Sequence, residues 1–394
     1  MDGRQQRGMA IAASGGAKID GASWRVDSAS TSGRRYRVNP LADSCTCADH
    51  DATGLRCKHV WAAIYTMTAE THDDGTVTTT TRVTYAQDWS SYNAAQCSEK
   101  DSFLSLLADL CETIPQPEQT IGRPRLPLAD MIYACTFKVF SGFSSRRFTS
   151  DLREAQARGF ISKVPHFNSV TGYMAKPELT PILQDLIALS SLPLRAIEKD
   201  FAADSSGFSG RHFDRWLDEK HGIPRDRKKR EWVKAHVMVG TLTNIVTAVE
   251  MSDWKGADTT YFPALVQATA KDFDVVEISA DKAYLTKSNV ELVEEVGATP
   301  FIPFKSNTKP TLGIGSAWAR MYHRFAADPD TFMAHYHRRS NVETTFSMIK
   351  AKFGASVMSK SPTGQINEVL CKILAHNLVV VGQAAIEYGT SAAV

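Results

Sequence analysis

The sequence predicts a mixed α/β fold, because its second half alternates two patterns of different period. From about residue 195 it carries short apolar runs typical of buried strands, among them WVKAHVMVG, NIVTAVEM and VVEISAD. Helical periodicity separates the later runs, as in YFPALVQATAKDF and SNVELVEEVG. Strands that alternate with helices in this way favour a sheet flanked by helices.

Length and charge set the outer limits of the interpretation. A chain of 394 residues is long enough for two or three domains. Lys and Arg exceed Asp and Glu by only two, 45 against 43, so a nucleic-acid surface must come from local clustering of charge. The sequence shows no secretory signal, no apolar run of 18 residues and no disulfide framework. We therefore expect a soluble intracellular protein with no membrane segment.

Composition divides the chain into six expected segments. Gly, Ala, Ser and Gln dominate the start without periodicity, and a Thr-rich stretch at 73–84 suggests a linker. In chain order the segments are a flexible tail (1–20), a small cysteine-rich domain (21–70), a linker (71–97), a helical region (98–194), an α/β domain (195–355) and a C-terminal helix packed on it (356–394).

Four candidate metal ligands lie in the cysteine-rich segment: Cys45, Cys47, Cys57 and His59. Their pattern is C-x-C, nine residues, then C-x-H, and it suits a closed tetrahedral zinc site that supplies folding energy to a small domain. The alternative, that these cysteines and the histidine are unrelated, is disfavoured because three of the seven cysteines fall within 13 residues. His50 is a weaker candidate. Together with the predicted hairpin before it, the pattern resembles the SWIM-type zinc finger, a family associated with DNA or protein contacts.

Three acids form a second candidate site. Asp204 is predicted at the end of a short apolar strand, before a Ser and Gly-rich turn, and Asp281 at the end of VVEISAD. Ligand crevices form at strand ends in α/β sheets, and Glu343 comes from a later helix. Carboxylates suit Mg²⁺, and a metal pair promotes phosphodiester chemistry. Asp200 and Glu277, four residues earlier, would face the same side of their strands and are the alternative pair.

The segment HYHRRSNVETTFSMIK, residues 335–350, is predicted to form one continuous helix. At about 100° per residue, Tyr336, Arg339, Glu343 and Lys350 fall within roughly 60° of one another on one face. An adjoining apolar stripe would dock the helix on a core; its members are Val342, Phe346, Ile349 and Phe353. The alternative is a solvated helix face with ion pairs.

These residues resemble the DDE transposases of prokaryotic insertion sequences, over roughly residues 100–385. Tyr336, Arg339, Glu343 and Lys350 match the family signature Y-x2-R-x3-E-x6-K, and Asp204, Asp281 and Glu343 correspond to its catalytic triad. The resemblance implies an RNase H-like core with two Mg²⁺ or Mn²⁺ ions on the triad. It also implies that Tyr336, Arg339 and Lys350 contact DNA.

The same resemblance implies a function and its partners. The expected activity is cleavage and strand transfer of double-stranded DNA, with transposon terminal inverted repeats and target DNA as substrates. A homodimer on paired ends is expected, in the cytoplasm of a prokaryote and on its nucleoid when bound to DNA. Only 61 residues separate Asp281 from Glu343, too few for the large β insertion that some relatives carry there. The resemblance therefore does not decide whether the reaction passes through a DNA hairpin.

Two further segments are candidates for DNA contact. A basic run suits phosphates, although such runs are often merely solvated loops; it holds Arg225, Arg227, Lys228, Lys229, Arg230 and Lys234. The stretch SSRRFTSDLREAQARGF is either a DNA-reading helix or a core helix. Two other functions remain as alternatives: a non-catalytic regulatory DNA-binding protein and a metal-dependent nuclease that cuts without joining.

Overall fold

The chain forms two compact units, residues 1–92 and 93–394. The computed structural model describes residues 3–20, 23–28, 33–40, 42–67, 70–71, 77–78, 89–119, 121–122, 124–210, 220, 232–305, 308–309 and 313–389. Each unit has hydrophobic core residues of its own.

The described part of the first unit is built on an antiparallel sheet in the order β1-β2-β3-β4. Its elements are α1 (Gly3–Ala13), β1 (Ala17–Asp20), β2 (Ser23–Asp27), β3 (Arg35–Asn39), β4 (Ser44–Cys45), α2 (Ala48–Thr53), α3 (Lys58–Met67), β5 (Glu70–Thr71) and β6 (Val77–Thr78). The predicted hairpin is observed as the β2–β3 pair. The inner face of the sheet packs against α3 around Val26, Val38 and Val60, which are fully buried.

The prediction of a flexible tail over residues 1–20 is wrong for the described residues 3–20, which form α1 and β1. Ile11 and Ala17 are buried in the core of the unit. Gly8 allows α1 to approach α3 closely, since a Cβ atom there would lie 2.5 Å from the Cβ atom of Trp61. Glycine in this segment, which favoured a flexible tail in the sequence, therefore allows α1 to pack closely on α3.

The predicted linker also needs correction. A long helix, α4 (Trp89–Glu112), begins inside the expected linker 71–97. Most of the Thr-rich stretch, residues 73–76 and 79–84, lies outside the described residues. The linker interpretation is thus overturned at its C-terminal end, where the helical pattern starts earlier than the sequence argument placed it.

The predicted helical region, 98–194, is observed as helices. After α4 come α5 (Leu128–Ser141), α6 (Thr149–Ala157), α7 (Phe167–Met174), α8 (Leu179–Ser191) and a 3₁₀ turn (Leu192–Leu194). Leu107, Phe137 and Leu183 share a buried cluster with Val237 of the sheet and Leu374 of the last helix. The helices and the α/β domain therefore form one packed unit.

A mixed sheet forms the centre of the second unit. Its described strands are β7 (Asp200–Gly210), β8 (Trp232–Gly240), β9 (Val246–Asp253), β10 (Glu277–Ala280), β11 (Thr299–Phe301) and β12 (Ser356–Val357). They run in the order β11-β10-β7-β8-β9, and β12 also pairs with β7. The β7–β8 and β8–β9 pairs are antiparallel, whereas β10–β7, β10–β11 and β12–β7 are parallel. The predicted mixed α/β fold is confirmed.

Helices cover both faces of this sheet. They are α9 (Asp258–Asp272), α10 (Lys287–Glu295), α11 (Ala317–Ala327), α12 (Pro329–His337), α13 (Ser340–Phe353) and α14 (Pro362–Tyr388), with a 3₁₀ turn at Lys282–Tyr284. Side chains of β7 alternate between the faces. Ala202 and Phe208 join the core that contains α13 and α14, and Phe201 and Ala203 join the core that contains α9 and α10.

Helix α14 is long and apolar enough to cross a membrane by length and composition, and 72% of its most apolar window is buried inside the protein. Polar residues interrupt this window, so no unbroken apolar run of 18 residues marks it in the sequence. Glu368 accepts a hydrogen bond from the Met358 amide at 2.8 Å, and Asn377 donates one to the Val246 carbonyl at 2.7 Å. Such internal partners are typical of a core helix.

Candidate active site and metal cluster

Asp204 is the fifth residue of β7, not its last. The predicted Ser and Gly-rich turn after it is wrong, because pairing with β8 continues from Ser205 opposite His236 to Ser209 opposite Trp232. Gly207 belongs to the strand for a steric reason. A Cβ atom there would lie 2.8 Å from Cδ1 of Trp232.

Asp281 directly follows β10, as the sequence predicts. The last pair of the parallel β7–β10 ladder is Ala203 opposite Ala280, so Asp204 and Asp281 are the next residues on neighbouring strands. Neighbouring strands lie about 4.8 Å apart. Burial raises the pKa of Asp204, and the negative charge of Asp281 adds to that rise. The register therefore places Asp204 and Asp281 next to each other, directly after the last pair of this ladder.

The predicted continuous helix over 335–350 is wrong at its centre, where α12 ends and α13 begins. At this junction the amides of Arg338 and Arg339 donate to carbonyls three residues back, His335 at 3.2 Å and Tyr336 at 2.9 Å. This tighter 3₁₀ pattern interrupts the α-helical ladder. Tyr336 consequently lies on α12, and Arg339 caps the start of α13.

The predicted apolar stripe of this segment is observed on α13. Val342, Phe346 and Ile349 are buried, and Phe353 packs against the same core as a partly buried residue. The stripe fixes the rotation of α13 about its axis. The side chains of Arg339, Glu343 and Lys350 are placed by that rotation next to β7.

Arg339 joins two of the three acids. Its Nη1 atom donates to Oδ2 of Asp204, and its Nη2 atom donates to Oε1 of Glu343 at 2.5 Å. The side chains of Arg339 and Asp204 are 17% and 21% exposed, whereas Glu343 is 60% exposed. Burial disfavours the guanidinium charge, but Asp204, Tyr336 and Glu343 outweigh burial and raise the pKa of Arg339. Arg339 thus forms ion pairs with both Asp204 and Glu343.

Lys350 reaches the same strand. Its Nζ atom donates to Oγ of Ser206 at 2.6 Å and lies 5.2 Å from the ring centre of Phe208. Ser206 is two residues beyond Asp204, so it is on the same face of β7. Burial lowers the pKa of Lys350. Lys350 therefore does not belong to a fully solvated face, which was the alternative for this helix.

The alternative acids, Asp200 and Glu277, form a separate cluster. They are paired in register at the start of β7 and β10. Nη1 of Arg338 donates to Oδ2 of Asp200 and lies 3.2 Å from Oε2 of Glu277, while Nδ1 of His335 lies 2.8 Å from that same oxygen. Burial and then the charge of Glu277 raise the pKa of Asp200. Two basic side chains thus face this pair.

The basic run is only partly described. Arg225, Arg227, Lys228, Lys229 and Arg230 lie outside the described residues. Lys234 is on β8, and its Nζ atom lies 2.5 Å from Oδ1 of Asp258. It pairs in register with Gly207, so it is on the face of the sheet opposite Asp204 and Ser206. The structure does not bring Lys234 to the three acids.

Sequence reasoning missed a polar cluster around Asp258 on that opposite face. Oδ1 of Asp258 accepts a hydrogen bond from Oγ of Ser205 at 2.8 Å and lies 3.3 Å from Nδ1 of His236. His236 is fully buried and stacks on Tyr261, and burial lowers its pKa to about 4. The alternation of Lys234 and His236 along β8 was the available signal for a shared face.

The segment proposed as either a DNA-reading or a core helix contains α6. Leu152 and Ala155 of α6 are buried in the core. Arg158, just after the helix, pairs with Asp101 at 2.8 Å. One face of α6 is therefore occupied by packing, and the exposed side chains, such as Arg153, are on the other side.

The four predicted zinc ligands come together in the first unit. One donor atom from each of Cys45, Cys47, Cys57 and His59 lies within 4.8 Å of every other, and all four residues are buried. Nδ1 of His59 is 3.8 Å from the sulfur atoms of both Cys45 and Cys57. Three thiols and an imidazole are the donor set of structural zinc sites. These residues fit a zinc ion.

Contacts within the cluster make the pKa values of the thiols differ. The hydrogen bond between Cys45 and Cys57 lowers the pKa of Cys57 and raises that of Cys45. Cys47 starts α2, and its sulfur accepts a hydrogen bond from the His50 amide at 3.4 Å. The His50 ring lies 2.9 Å from the Leu55 carbonyl, and His50 is not part of the four-residue cluster.

Comparison with protein families gives two matches. Residues 196–378 match the family model of the transposase DDE domain, and residues 36–67 match that of the SWIM zinc finger. The first range contains Asp204, Asp281 and Glu343, and the second contains the whole thiol and imidazole cluster. The chain therefore carries a transposase DDE domain and, N-terminal to it, a SWIM zinc finger.

Proposed function

We propose that this chain binds the terminal inverted repeats of a transposon and catalyses metal-dependent DNA strand cleavage and strand transfer. One observation carries the proposal: Arg339 holds Asp204 and Glu343 together, while the β7–β10 register sets Asp281 beside Asp204. Three acids are thus brought together: one from β7, one from the residue directly after β10 and one from α13.

The donor set fits hard divalent cations. Asp204, Asp281 and Glu343 offer carboxylate oxygens, the ligands that Mg²⁺ prefers. The guanidinium of Arg339 lies between Asp204 and Glu343, which supports the proposal that positive charge is accommodated there. Two Mg²⁺ or Mn²⁺ ions, when bound, supply Lewis-acid stabilisation of the attacking and leaving oxygens.

The protein side chains supply position and charge. Strand β7 fixes Asp204, the end of β10 sets the position of Asp281, and the packed helix α13 fixes Glu343. Arg339 and Lys350 present positive charge on the same face of β7 and would contact DNA phosphates. Tyr336 lies next to Arg339, and a hydrogen bond between the two side chains raises the pKa of Arg339.

The proposed reaction has two displacements at phosphorus. A water molecule attacks the phosphodiester at the transposon end, and the bond to the 3' oxygen breaks to leave a 3'-OH and a 5'-phosphate. That 3'-OH then attacks a phosphodiester of target DNA, forms a new bond to phosphorus and releases a target 3'-OH. Both steps require an in-line arrangement of attacking and leaving oxygens.

A labelled-DNA assay tests this function against its two alternatives. Inverted repeats in the DNA that flanks the gene would supply the end substrate, and a plasmid would supply the target. With Mg²⁺ or Mn²⁺ the proposal requires both a cleaved 3'-OH end and a joined product. Cleavage without joining would indicate a nuclease, and binding without cleavage would indicate a regulatory DNA-binding protein.

Assembly and the remaining DNA contacts belong to the same proposal. Two ends must be handled together, so we propose a homodimer on paired ends. The helical region 98–194 and the basic run around Lys228 are proposed to add DNA contacts, since exposed arginines such as Arg153 remain on α6. The mass of the complex in solution tests the assembly, and two chains with two DNA ends are expected.

A further inference from the structure

The outer face of the finger sheet carries a row of cations. Lys18 of β1 is directly opposite Arg25 of β2, and Arg25 is directly opposite Arg37 of β3. All three are exposed. With strands about 4.8 Å apart, the row extends about 10 Å across the sheet. We define Lys18, Arg25 and Arg37 as the basic row.

Charge is concentrated in this part of the chain. Residues 3–67 contain nine Lys and Arg but only five Asp and no Glu, a net charge of +4. The whole chain has a net charge of only +2, so the other residues together are net negative. The local clustering that a neutral chain needs for binding nucleic acid is therefore found in the first unit.

The acidic side chains on this face neutralise only part of the positive charge of the basic row. Arg25 pairs with Asp20 at 2.5 Å, and Arg35 pairs with Asp27 at 3.0 Å. Within the described ranges, no acidic side chain pairs with Lys18 or Arg37. Like charges directly opposite on antiparallel strands disfavour folding. A row of this kind therefore indicates a ligand with negative charge.

The chemistry of the face favours DNA over a protein partner. Protein interfaces depend on buried aromatic or aliphatic anchors. The described side chains that alternate onto the outer face are all polar or charged; they are Lys18, Asp20, Ser23, Arg25, Asp27, Arg35, Arg37, Asn39 and Ser44. Long cationic side chains in a polar setting are typical of phosphate contact.

We propose that the outer face of the finger sheet, through Lys18, Arg25 and Arg37, binds the phosphate backbone of double-stranded DNA independently of base sequence. The thiol and imidazole cluster lies on the other side of this sheet, where Cys45 pairs with Val38. The cluster thus supports the sheet from its inner face and leaves the outer face open. This inference goes beyond the cleavage chemistry and does not depend on it.

The test measures DNA affinity of the full zinc-loaded chain against salt, between about 50 and 200 mM, with two duplexes of unrelated sequence. The variant is Lys18→Gln combined with Arg37→Gln. The control is Lys271→Gln combined with Lys287→Gln, which removes two exposed charges from α9 and α10. Zinc content of each variant confirms that the finger is folded.

The slope of log affinity against log salt should fall by about 0.9 for each phosphate that the variant no longer neutralises, equally on both duplexes, and should stay unchanged in the control. An unchanged slope in the zinc-loaded double variant would overturn the proposal. So would an equal fall in the control, or a weakening on one duplex only. Cleavage by the parent chain is measured separately, so failure here is distinguishable from failure of the proposed transposase activity.

Discussion

The two candidate metal sites of this chain are built in opposite ways. In the finger, four buried donor groups lie within 4.8 Å of one another and include one hydrogen-bonded thiol pair. In the core, the acids are partly exposed, and a guanidinium is bonded between Asp204 and Glu343. A closed site with soft donors is suited to hold a fold together, whereas an open site with hard donors leaves room for a substrate.

The two units also differ in what they require in order to fold. The finger buries thiols and an imidazole in a small core, and we infer that zinc supplies much of its folding free energy. The core buries a large apolar cluster around its sheet, and Arg339 already neutralises part of the acidic charge. We therefore expect the core, but not the finger, to keep its structure without metal.

Removal of zinc should give the largest effect. Cys57→Ala, or chelation of the parent, should unfold the finger, because structural zinc contributes on the order of 10 kcal/mol in small domains. The parent should bind one zinc per chain. Hydrogen exchange checks this: amides of β2, β3 and α3 should lose protection while those of β7 and β8 keep it. A zinc-free chain with a protected finger would contradict this account.

Replacement of Arg338 should lower the stability of the core while leaving DNA cleavage largely intact. Arg338→Gln leaves Asp200 and Glu277 with one basic partner less, and the free energy of unfolding should fall by about 1 to 2 kcal/mol. Cleavage below the melting temperature should change by less than about tenfold, since Arg338 faces the alternative acids. Arg339→Gln is the matched comparison, and an equal fall in cleavage in both variants would contradict the distinction.

The contribution of Asp204 to the stability of the metal-free core should fall as the pH rises. Burial raises the folded-state pKa of Asp204, so its stabilising contribution is complete below the unfolded value of about 3.9 and is lost as pH rises through the folded pKa. Asp204→Asn should lack this loss and be at least as stable as the parent at neutral pH. Urea titrations from pH 4 upward check it, and an unchanged pH profile in Asp204→Asn would contradict the assignment.

Replacement of Lys350 should give the smallest effect. Lys350→Ala removes the bond to Ser206 and one proposed phosphate contact, so the slope of DNA affinity against salt should fall by about one unit. Lys350→Arg should not restore it fully, because a planar fork presents different donor geometry from an ammonium. Titrating end DNA at several salt concentrations measures it, and an unchanged slope would remove Lys350 from the DNA interface.

Sequence patterns predicted the parts of this protein that depend on local chemistry. The four ligand types of the finger, the strand before Asp281 and the apolar stripe of α13 all follow from spacing and periodicity. The errors arose where tertiary contacts decide. Gly207 looked like a turn residue but fits beneath Trp232, and Gly8 looked like part of a tail but lies against Trp61.

The bonded partners of the acids were also beyond sequence reasoning. Asp200 and Asp204 are four residues apart on one face of one strand, so periodicity treats them alike. The 3₁₀ junction directs Arg338 to the first acid and Arg339 to the second. Only the position of that junction in space distinguishes the acid pair that faces Arg338 and His335 from the two acids that are bonded to Arg339.

The most direct test of the central claim compares Asp204→Asn with Asp200→Asn in the Mg²⁺-dependent cleavage of labelled transposon-end DNA. Both variants remove one carboxylate from the same face of β7. Loss of a metal ligand at several kcal/mol should lower cleavage by about a thousandfold in Asp204→Asn, with DNA binding retained. Asp200→Asn should stay within about tenfold of the parent. Full cleavage by Asp204→Asn together with loss in Asp200→Asn would contradict the account.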